Sequence, residues 1–375
     1  MKVLFICSNN VEKISGGGSQ CTNRNYLSLK EIAGPDNIKV VQLIPGLNYN
    51  FSSVVSRMGN YLRGLNAGLG TREIQNIIDL SVHVDYVFID TSEHGAICYY
   101  LNKNKFKGKI ITFFHNVEHT LYLQRLKKNP LLFGRSRIIH YNEKLAVKYS
   151  DRIITLTSRD SEEIKSVYNR LQIPETFIIP ISFRDIYPEE KVDSVKIQPP
   201  LTCLFVGDDW FANLHGIQWF IDNVLDRVDI KLQIAGRASD VLKIKANHPK
   251  IEYLGFVPDL STLIINADLF LAPIFKGGGM KVKICEALMF GKIILATREA
   301  LIGYDLDPEK MGAVCNTELE FVNAINKLSY SNENRFNMYN RNCFLKKYSF
   351  KATLKNFNEV LSVEDAKNKT LIYKD

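Results

Sequence analysis

Short apolar runs alternate along this chain with longer amphipathic stretches, and this alternation limits the possible folds more than any other feature. The apolar runs are rich in Val, Ile and Phe, and helical patterns lie between them, for example over residues 215–228 and 282–290. Strands are predicted over residues 2–8, 38–44, 84–90, 109–114, 151–157, 201–207, 230–236, 251–256, 267–274 and 292–297. Such alternation is typical of β-α units around a parallel sheet, so we predict an α/β protein.

The series of strands stops and restarts around a proline pair, Pro199-Pro200. The segment 187–200 contains this pair, Pro188 and several charges, which is the composition of a linker. A chain of 375 residues also fits two domains of roughly 100 to 200 residues each. We therefore predict two doubly wound, Rossmann-like domains that face each other across a cleft. The predicted boundaries are 1–185, 186–350 and, for a C-terminal segment, 351–375.

The net charge of +8 lies in the first half of the chain, where residues 1–180 contain 23 Lys and Arg against 15 Asp and Glu. Basic clusters are formed by Lys103, Lys105, Lys107 and Lys109, and by Arg125, Lys127, Lys128, Arg135 and Arg137 around the apolar residues 131–133. Basic residues around apolar ones suit an anionic membrane surface, where each contributes about 1 kcal/mol. A solvated face would have the same composition. No nucleic-acid-binding motif accompanies the charge, so no nucleic acid partner is expected.

Composition and the opening residues indicate a globular protein of the cytoplasm. A hydrophobic content of 46% excludes a disordered or collagen-like chain. No run reaches the roughly 18 apolar residues that span a bilayer, and the first apolar run is too short for a secretory signal. The seven cysteines are scattered without C-x-x-C spacing, so we expect reduced, buried thiols. We expect a cytoplasmic protein that binds peripherally to the inner face of the cell membrane.

A first glycine-rich segment, Gly16-Gly17-Gly18-Ser19, follows the first predicted strand and precedes a predicted helix. Glycines at such a place let backbone N–H groups approach an anion at a helix N-terminus, where the helix dipole favours negative charge. The spacing is not the G-x-G-x-x-G of dinucleotide sites. An anion site and a flexible loop both stay open as interpretations.

A second glycine-rich segment runs from Lys276 to Glu286, between a predicted strand and a predicted helix. Its three successive glycines orient backbone donors, and Lys281 and Lys283 add positive charge where a pyrophosphate would lie. Glu286 follows Lys283 by three residues on the same helix face and can accept hydrogen bonds from a ribose. The spacing of a Walker P-loop is not present. This segment favours a nucleotide or phosphate ligand over a plain loop and capped helix.

Four aromatic residues lie at helical spacing near the start of the second predicted domain: Trp210, Phe211, Trp219 and Phe220. Such residues can stack on a base. Their spacing is more typical of core packing, which is our expectation for all four.

The segment 273–297 resembles the donor-binding segment of retaining GT-B glycosyltransferases of the group 1 type. Further similar segments follow in the family's order over residues 113–122, 155–164, 178–183, 205–225, 234–237 and 254–274. The resemblance covers most of residues 1–365. It implies a GT-B fold in which residues 1–185 bind the acceptor, residues 186–350 bind a sugar nucleotide, and a helix in 351–375 crosses back towards the N-terminal domain.

The resemblance also implies roles for particular residues. Glu286 would hold the ribose, Lys281 and Arg237 would meet the diphosphate, Val257 would border the base, and His115 would hold a hydroxyl of the donor sugar. His115 and Lys281 are the implied catalytic residues. The residues implied for donor binding are Gly17, Gly18, Arg237, Gly255, Phe256, Val257, Gly277, Gly278, Gly279, Met280, Lys281 and Glu286.

One position departs from the family pattern, because many relatives carry a glutamate where this chain has Gly278. Sugar contacts made by that glutamate must come from elsewhere here, which affects the donor sugar but not the nucleotide. Retention in the family is explained by attack assisted by the leaving phosphate. We therefore nominate no nucleophile or general base, and neither Asp208 nor Asp209 has enough support for that role. With cations to stabilise the leaving diphosphate, no metal and no cofactor are expected.

Two other functions stay open. His115-Asn116-Val117-Glu118-His119 spells the H-x-x-E-H pattern of inverted zinc metallopeptidases. A strand runs directly into His115, which argues against two zinc-binding histidines on one helix. The other alternative is a noncatalytic nucleotide-sugar-binding protein. The main prediction is a glycosyltransferase that moves a sugar from a nucleoside diphosphate to a glycan acceptor, lipid-linked, in surface polysaccharide or glycoconjugate biosynthesis.

Overall fold

The computed structural model describes residues 1–13, 16–44, 58–126, 129–188, 195–243 and 248–362. The chain divides into two compact units, Met1–Ile179 together with Thr353–Asp375, and Pro180–Ala352. The division lies at Ile179, six residues before the boundary at 185 predicted from the sequence. Residues 189–194 of the predicted linker, and Lys127 and Lys128 of the second basic cluster, lie outside the described residues.

The first unit contains a parallel six-stranded sheet with the order β2-β1-β3-β4-β5-β6. Its strands are β1 Val3–Cys7, β2 Ile38–Gln42, β3 Tyr86–Ile89, β4 Lys109–Phe114, β5 Arg152–Thr155 and β6 Glu175–Ile178. Every residue of β1 is buried. Parallel strands buried on both faces are continuously apolar rather than alternating, which is why such runs predict them well.

The second unit contains another parallel six-stranded sheet, with the order β12-β11-β10-β7-β8-β9. Its strands are β7 Leu201–Val206, β8 Ile230–Ala235, β9 Ile251–Gly255, β10 Leu269–Ala272, β11 Ile293–Ala296 and β12 Gly312–Val314. The predicted α/β class is confirmed. All ten predicted strands are present, and the sequence missed β6 and β12, the last strand of each unit.

Helices connect the strands in both units. The first unit has α1 Gly17–Ala33, α2 Thr71–Ser81, α3 Ala96–Lys103, α4 Glu118–Leu126, α5 Phe133–Tyr149 and α6 Ser158–Val167. The second has α7 Phe211–Asn223, α8 Arg237–Lys243, α9 Ser261–Asn266, α10 Val282–Met289, α11 Pro308–Met311, α12 Glu318–Ser329 and α13 Met338–Cys343. The helix α14 Phe350–Ser362 begins in the second unit and, from Thr353, belongs to the first.

Aromatic residues fill one face of the first sheet. Phe5 of β1 and Phe88 of β3 are stacked, with ring centroids 5.4 Å apart. Phe357 of α14 lies 6.0 Å from Phe88, and the buried Arg152 of β5 donates a hydrogen bond to the carbonyl oxygen of Val360. The last helix therefore completes the core of the first unit.

Two further features of the described residues bear on the expectations above. All seven cysteines are free and buried, as predicted. In the described part of the chain, no helix combines the length and apolar character needed to cross a bilayer.

The strand orders locate one switch point in each sheet. From β1 the chain moves to β2 on one side, and β3 pairs with β1 on the other. From β7 it moves to β8 on one side, and β10 pairs with β7 on the other. In doubly wound sheets, ligands bind outside the carboxyl ends of the strands at such points.

Candidate functional site

Glycines draw the ends of β7, β8 and β9 together in the second unit. Gly207 donates a hydrogen bond to Ala235, and Gly236 donates one to Gly255, with N···O distances of 2.9 and 2.7 Å. Gly236 has a φ of +94°, and a Cβ there would lie only 2.2 Å from the carbonyl oxygen of Gly207. Only glycine fits this approach, which brings the loop after β7 beside the start of α8.

Arg237, the first residue of α8, is held by the loop after β7. Its Nε and Nη2 atoms both donate to the carboxylate of Asp208, and Asp209 lies 3.7 Å from Nε. Arg237 remains 58% exposed. The hydrogen bonds from Arg237 lower the pKa of Asp208, and those to Asp208 raise the pKa of Arg237. The guanidinium predicted to meet a diphosphate thus lies at the strand ends, where it is paired with the carboxylate of Asp208.

The glycine turn between β10 and α10, residues 277–279, is built on left-handed backbone. Gly277 and Gly279 have φ values of +132° and +60°, which L side chains rarely adopt. The next residue, Met280, is buried, and its sulfur accepts a hydrogen bond from the backbone of Ile181 at 3.4 Å. The sulfur contact anchors the turn at the carboxyl end of β10, next to β7 at the switch point.

Lys281 immediately precedes α10, and its side chain turns back over the glycine turn. Its Nζ donates to the carbonyl oxygens of Gly279 at 3.0 Å and Gly278 at 3.4 Å. It also forms an ion pair with Glu299, which follows β11, at 3.3 Å. Sequence reasoning missed Glu299, which lies at the same sheet edge because β10 and β11 are neighbouring parallel strands.

Lys283 and Glu286 lie on one face of α10 and are both partly buried. Lys283 donates to the amide oxygen of Asn213 at 2.8 Å and lies 4.2 Å from the ring centroid of Phe205. Burial lowers the pKa of Lys283 to about 7, against the opposing effect of Glu286, and burial raises the pKa of Glu286 to about 7. Among the described residues, no hydrogen bond is formed by the Glu286 carboxylate. This carboxylate is available to accept hydrogen bonds from a ligand.

The residues predicted to border a base lie at the end of β9. Gly255 has a φ of +67°, and its N–H donates to Ser239 at 3.0 Å. Phe256 is 74% exposed, and Val257 is partly buried. The predicted donor-binding residues of the second unit therefore all lie at the carboxyl ends of β8, β9 and β10 or in the loops and helices that follow them.

Two of the four aromatic residues expected in the core are exposed instead. Trp210 and Phe211 are 48% and 46% exposed at the N-terminus of α7, whereas Phe220 is fully buried. Trp219 is partly buried against Phe275, with ring centroids 4.6 Å apart. The expectation of core packing is wrong for the first pair, since they lie where α7 emerges beyond the end of β7.

The first glycine segment forms the N-terminus of α1, after the carboxyl end of β1. Gly17 and Gly18 are exposed, and a Cβ on Gly18 would meet nothing within 4 Å. Ser19 accepts a hydrogen bond from the N–H of Gly16 at 3.0 Å and donates one to its carbonyl oxygen at 2.9 Å. The helix start is open to solvent, as an anion site would require.

His115 follows β4 and contacts Asp90, which follows β3. Its Nε2 lies 2.7 Å from the carbonyl oxygen of Asp90 and 3.3 Å from Oδ2. The buried Asp90 carboxylate also accepts hydrogen bonds from Thr22 at 2.5 Å and Asn25 at 2.7 Å. Burial alone would lower the pKa of His115, but Asp90 and Cys21 raise it well above its usual value. Asp90 therefore orients the side chain predicted to bind a sugar hydroxyl and favours its protonated form.

The H-x-x-E-H residues do not form one cluster. His115 is held by Asp90, whereas Glu118 begins α4 and accepts a hydrogen bond from Asn116 at 3.0 Å. His119 packs on His140, with ring centroids 4.1 Å apart. Across the described ranges, no three His, Cys, Asp or Glu side chains are grouped to hold a metal ion. The geometry does not support a metallopeptidase.

A buried carboxylate fixes the segment after His115. Glu143 of α5 accepts hydrogen bonds from the N–H groups of Glu118 and His119 at 2.9 and 3.1 Å. It also accepts hydrogen bonds from Ser92 and Tyr168, both at 2.9 Å. Because it satisfies the first amides of α4, Glu143 acts as a cap supplied by the neighbouring helix.

Sequence analysis assigned no site role to four residues that the fold brings to these strand ends. The sequence carries a signal for two of them, since Asp90 directly follows β3 and Asp208 lies two residues after β7, where ligands bind in this architecture. Glu299 and Asn213 carry no such signal.

Comparison with known families supports the resemblance. Residues 200–330 match the model of the family described as "Glycosyl transferases group 1". This range contains the glycine turn, Arg237 and Glu286. No curated protein sequence matches the chain.

Solved structures match both units. HepE of Anabaena, in complex with UDP and glucose, has a TM-score of 0.62 and 12% identity over 96% of this chain and 99% of its own. A trehalose-phosphate synthase (UDP-forming) of Burkholderia xenovorans, in complex with glucose-6-phosphate, has a TM-score of 0.60 and 11% identity over 97% and 100%. A glycosyltransferase of Rickettsia africae has a TM-score of 0.60 and 13% identity over 96% and 97%. These similarities confirm the predicted GT-B fold.

Proposed function

We propose that this chain, whose residues 200–330 match the group 1 glycosyltransferase family model, moves a sugar from a nucleoside diphosphate to a lipid-linked glycan with retention of anomeric configuration. The pathway would be surface polysaccharide or glycoconjugate biosynthesis. One observation carries the proposal: a glycine turn with Lys281 and Lys283 on one side, and the unbonded carboxylate of Glu286 one helical turn beyond, lies at the switch point of the second sheet.

In this proposal the second unit binds the donor. The diphosphate lies against the N-terminus of α10, where backbone N–H groups and the helix dipole favour an anion and, among the described residues, no side chain caps the helix. Glu286 accepts hydrogen bonds from the two ribose hydroxyls. The exposed ring of Phe256 borders the base. HepE, whose fold this chain shares, is described in complexes with UDP and UDP-glucose, which makes UDP-sugars the first donors to test.

The same groups would assist departure of the nucleoside diphosphate. Negative charge grows on the leaving phosphate as the bond to the anomeric carbon breaks, and in this proposal Lys281, Lys283 and the amides of α10 lie beside that charge. Cations held in advance stabilise such charge without reorganisation, so no metal is required. In retention, the leaving phosphate oxygen accepts the acceptor's proton on the face where the new bond forms.

Donor binding tests the first half of the proposal. Nucleoside diphosphates and UDP-sugars are titrated by calorimetry into the wild type, Glu286→Gln and Glu318→Gln, an exposed matched control on α12. We expect Glu286→Gln to lose about tenfold in affinity, in line with one charge-assisted hydrogen bond, and the control to lose none. Equal affinity of all three proteins would contradict this placement of the ribose.

Transfer tests the second half. Incubation with the donor that binds and with a lipid-linked glycan should give an extended product with the donor's anomeric configuration, read by NMR. Donor binding without transfer to any glycan acceptor would support a noncatalytic binding protein instead. An inverted product would contradict retention.

Membrane association is proposed for one surface of the first unit, the α4–α5 surface. Its members are exposed: Leu123, Arg125, Leu131, Phe133, Arg135 and Arg137. Leu131 is 93% exposed, and a side chain this exposed does not stabilise the fold. The cluster over residues 103–109 lies at the other end of β4, because Lys109 begins the strand that leads to His115. The two basic clusters therefore do not form one surface.

Vesicle co-sedimentation tests this surface. Replacing Arg125, Arg135 and Arg137 by glutamate should reduce binding to vesicles with anionic lipid by more than about tenfold, since each arginine contributes about 1 kcal/mol near such a surface. Replacing Lys103, Lys105 and Lys107 by glutamate is the matched control. Equal loss in both variants would indicate a nonspecific charge effect and contradict the assignment.

A further inference from the structure

Both cations predicted to meet the diphosphate are already paired with carboxylates. Arg237 donates from two nitrogens to Asp208, and Lys281 forms its ion pair with Glu299 at 3.3 Å. The two carboxylates come from separate loops, after β7 and after β11, and both loops lie at the carboxyl edge of the second sheet. Two independent elements thus place an acidic group on each cation of the proposed donor site.

A phosphate and a carboxylate bind these cations in the same way. The guanidinium fork takes either anion through two parallel N–H···O bonds, and an ammonium takes either as a point charge. A ligand phosphate that binds the Nε and Nη2 edge of Arg237 must therefore displace Asp208, and one that takes the ion-pair position on Lys281 must displace Glu299. Each displaced carboxylate returns to its cation when the ligand leaves.

We propose that Asp208 and Glu299 compete with the diphosphate for Arg237 and Lys281, and so promote release of the nucleoside diphosphate after transfer. The inference rests on the proposed function, because it concerns the same site. Lid opening and product release limit turnover in many enzymes, and an internal competitor shortens the lifetime of the bound product. The carboxylates also keep small anions from occupying the cations between turnovers.

The sign of one effect separates this role from a structural one. If Asp208 only oriented Arg237, its loss would weaken binding, because the 58% exposed guanidinium would no longer be held in place. If Asp208 competes, its loss strengthens binding, because the ligand no longer has to break the two charged hydrogen bonds of Arg237, and Asp209, 3.7 Å from Nε, remains as the weaker partner. The same two outcomes distinguish the roles of Glu299, whose side chain is 23% exposed.

The test compares four proteins: the wild type, Asp208→Asn, Glu299→Gln and Asp226→Asn. Asp226 is an exposed carboxylate of the same unit that precedes β8, so it lies at the amino edge of the sheet, away from the proposed site. Calorimetry measures the affinity of each protein for UDP, ADP, GDP, CDP and dTDP. Stopped-flow displacement then measures the dissociation rate of the diphosphate that binds most tightly.

We expect Asp208→Asn to bind that diphosphate about two- to fivefold more tightly, since exposed ion pairs are worth little. Glu299→Gln should gain about three- to tenfold, because its pair with Lys281 is less exposed and less screened. The gain should come from slower dissociation, and both KM and kcat should fall where product release limits turnover. Asp226→Asn should match the wild type.

Three outcomes would count against the inference. Unchanged or weaker binding by both variants, with the wild type binding normally, would overturn it and leave the proposed function intact. A gain in Asp226→Asn equal to that of the others would reduce it to an effect of net charge. If no nucleoside diphosphate binds the wild type, the proposed function itself fails, and the inference fails with it.

Discussion

Acidification should destabilise the first unit through one buried imidazole, His94. This side chain is 2% exposed, its Nε2 lies 2.9 Å from the hydroxyl of Ser8, and its buried Nδ1 has no hydrogen-bond partner in the structure described. Burial lowers the pKa of His94 from 6.5 to about 4. The folded protein therefore holds the neutral ring at a pH where the unfolded chain has already taken up a proton.

The sign and the size of the effect follow from this difference. Because the folded pKa is lowered, the stabilisation is fully present above pH 6.5 and is lost as the pH falls through the folded value near 4. A difference of this size corresponds to about 3 kcal/mol, a substantial part of the stability of an average domain. Other groups also titrate over this range, so the wild type alone would not isolate the contribution.

A comparison of the wild type with His94→Gln isolates it. Gln does not titrate and can keep a hydrogen bond to Ser8. Urea unfolding followed by far-UV circular dichroism should show the variant less stable near pH 7, and the gap should shrink by about 3 kcal/mol at pH 4. Tryptophan fluorescence serves as a separate probe, since Trp210 and Trp219 both lie in the second unit. A gap that stays constant between the two pH values would refute a buried neutral imidazole.

Three further predictions concern the proposed donor site, the packing of α7 and the start of α4. Affinity for a nucleotide sugar should pass through a maximum near pH 7, because Glu286 binds best once it has lost its proton and Lys283 binds best while it keeps its own, and both have a pKa of about 7. Calorimetry across the pH range checks this, and a flat profile would contradict it. Gly216→Ala should lower the free energy of unfolding by about 1–3 kcal/mol, because the new Cβ would lie 1.8 Å from the carbonyl oxygen of Pro273. Urea unfolding measures this change, and a variant as stable as the wild type would contradict the prediction. Glu143→Ala should lower the free energy of unfolding by about 3 kcal/mol, because it leaves buried donors without an acceptor. The rate of hydrogen exchange of the α4 amides should also rise. An unchanged rate would show that another group caps α4.

Most of the fold could be predicted because central parallel strands are buried on both faces. The apolar run of β1 or β10 has no polar position that could obscure it. The two missed strands lie at sheet edges. β6 has exposed residues at both ends, and β12 contains only three residues, none of them buried. Such short, half-exposed segments resemble loops in sequence, and only their neighbours in the sheet make them strands.

The sequence predicted which loops form the site, but not which side chains within it bind one another. Three successive glycines before a helix favour an anion site, and the glycine turn is present at the expected strand end. The contact between Lys281 and Glu299 instead depends on which strands are neighbours, which no local pattern encodes. The exposure of Trp210 has a similar origin, since helical spacing does not show how far a helix extends past its sheet.

The position of α14 in the sequence has a consequence for synthesis of the chain. Phe357 and Val360 are almost fully buried in the first unit, but the ribosome adds them after the whole of the second unit. The apolar surface around Phe88 therefore stays uncovered until the second unit has been translated, during which time it is open to aggregation or to chaperones. A nascent chain stopped before Thr353 would contain a complete second sheet and an unfinished first one, so the core of the N-terminal half is completed after that of the second unit.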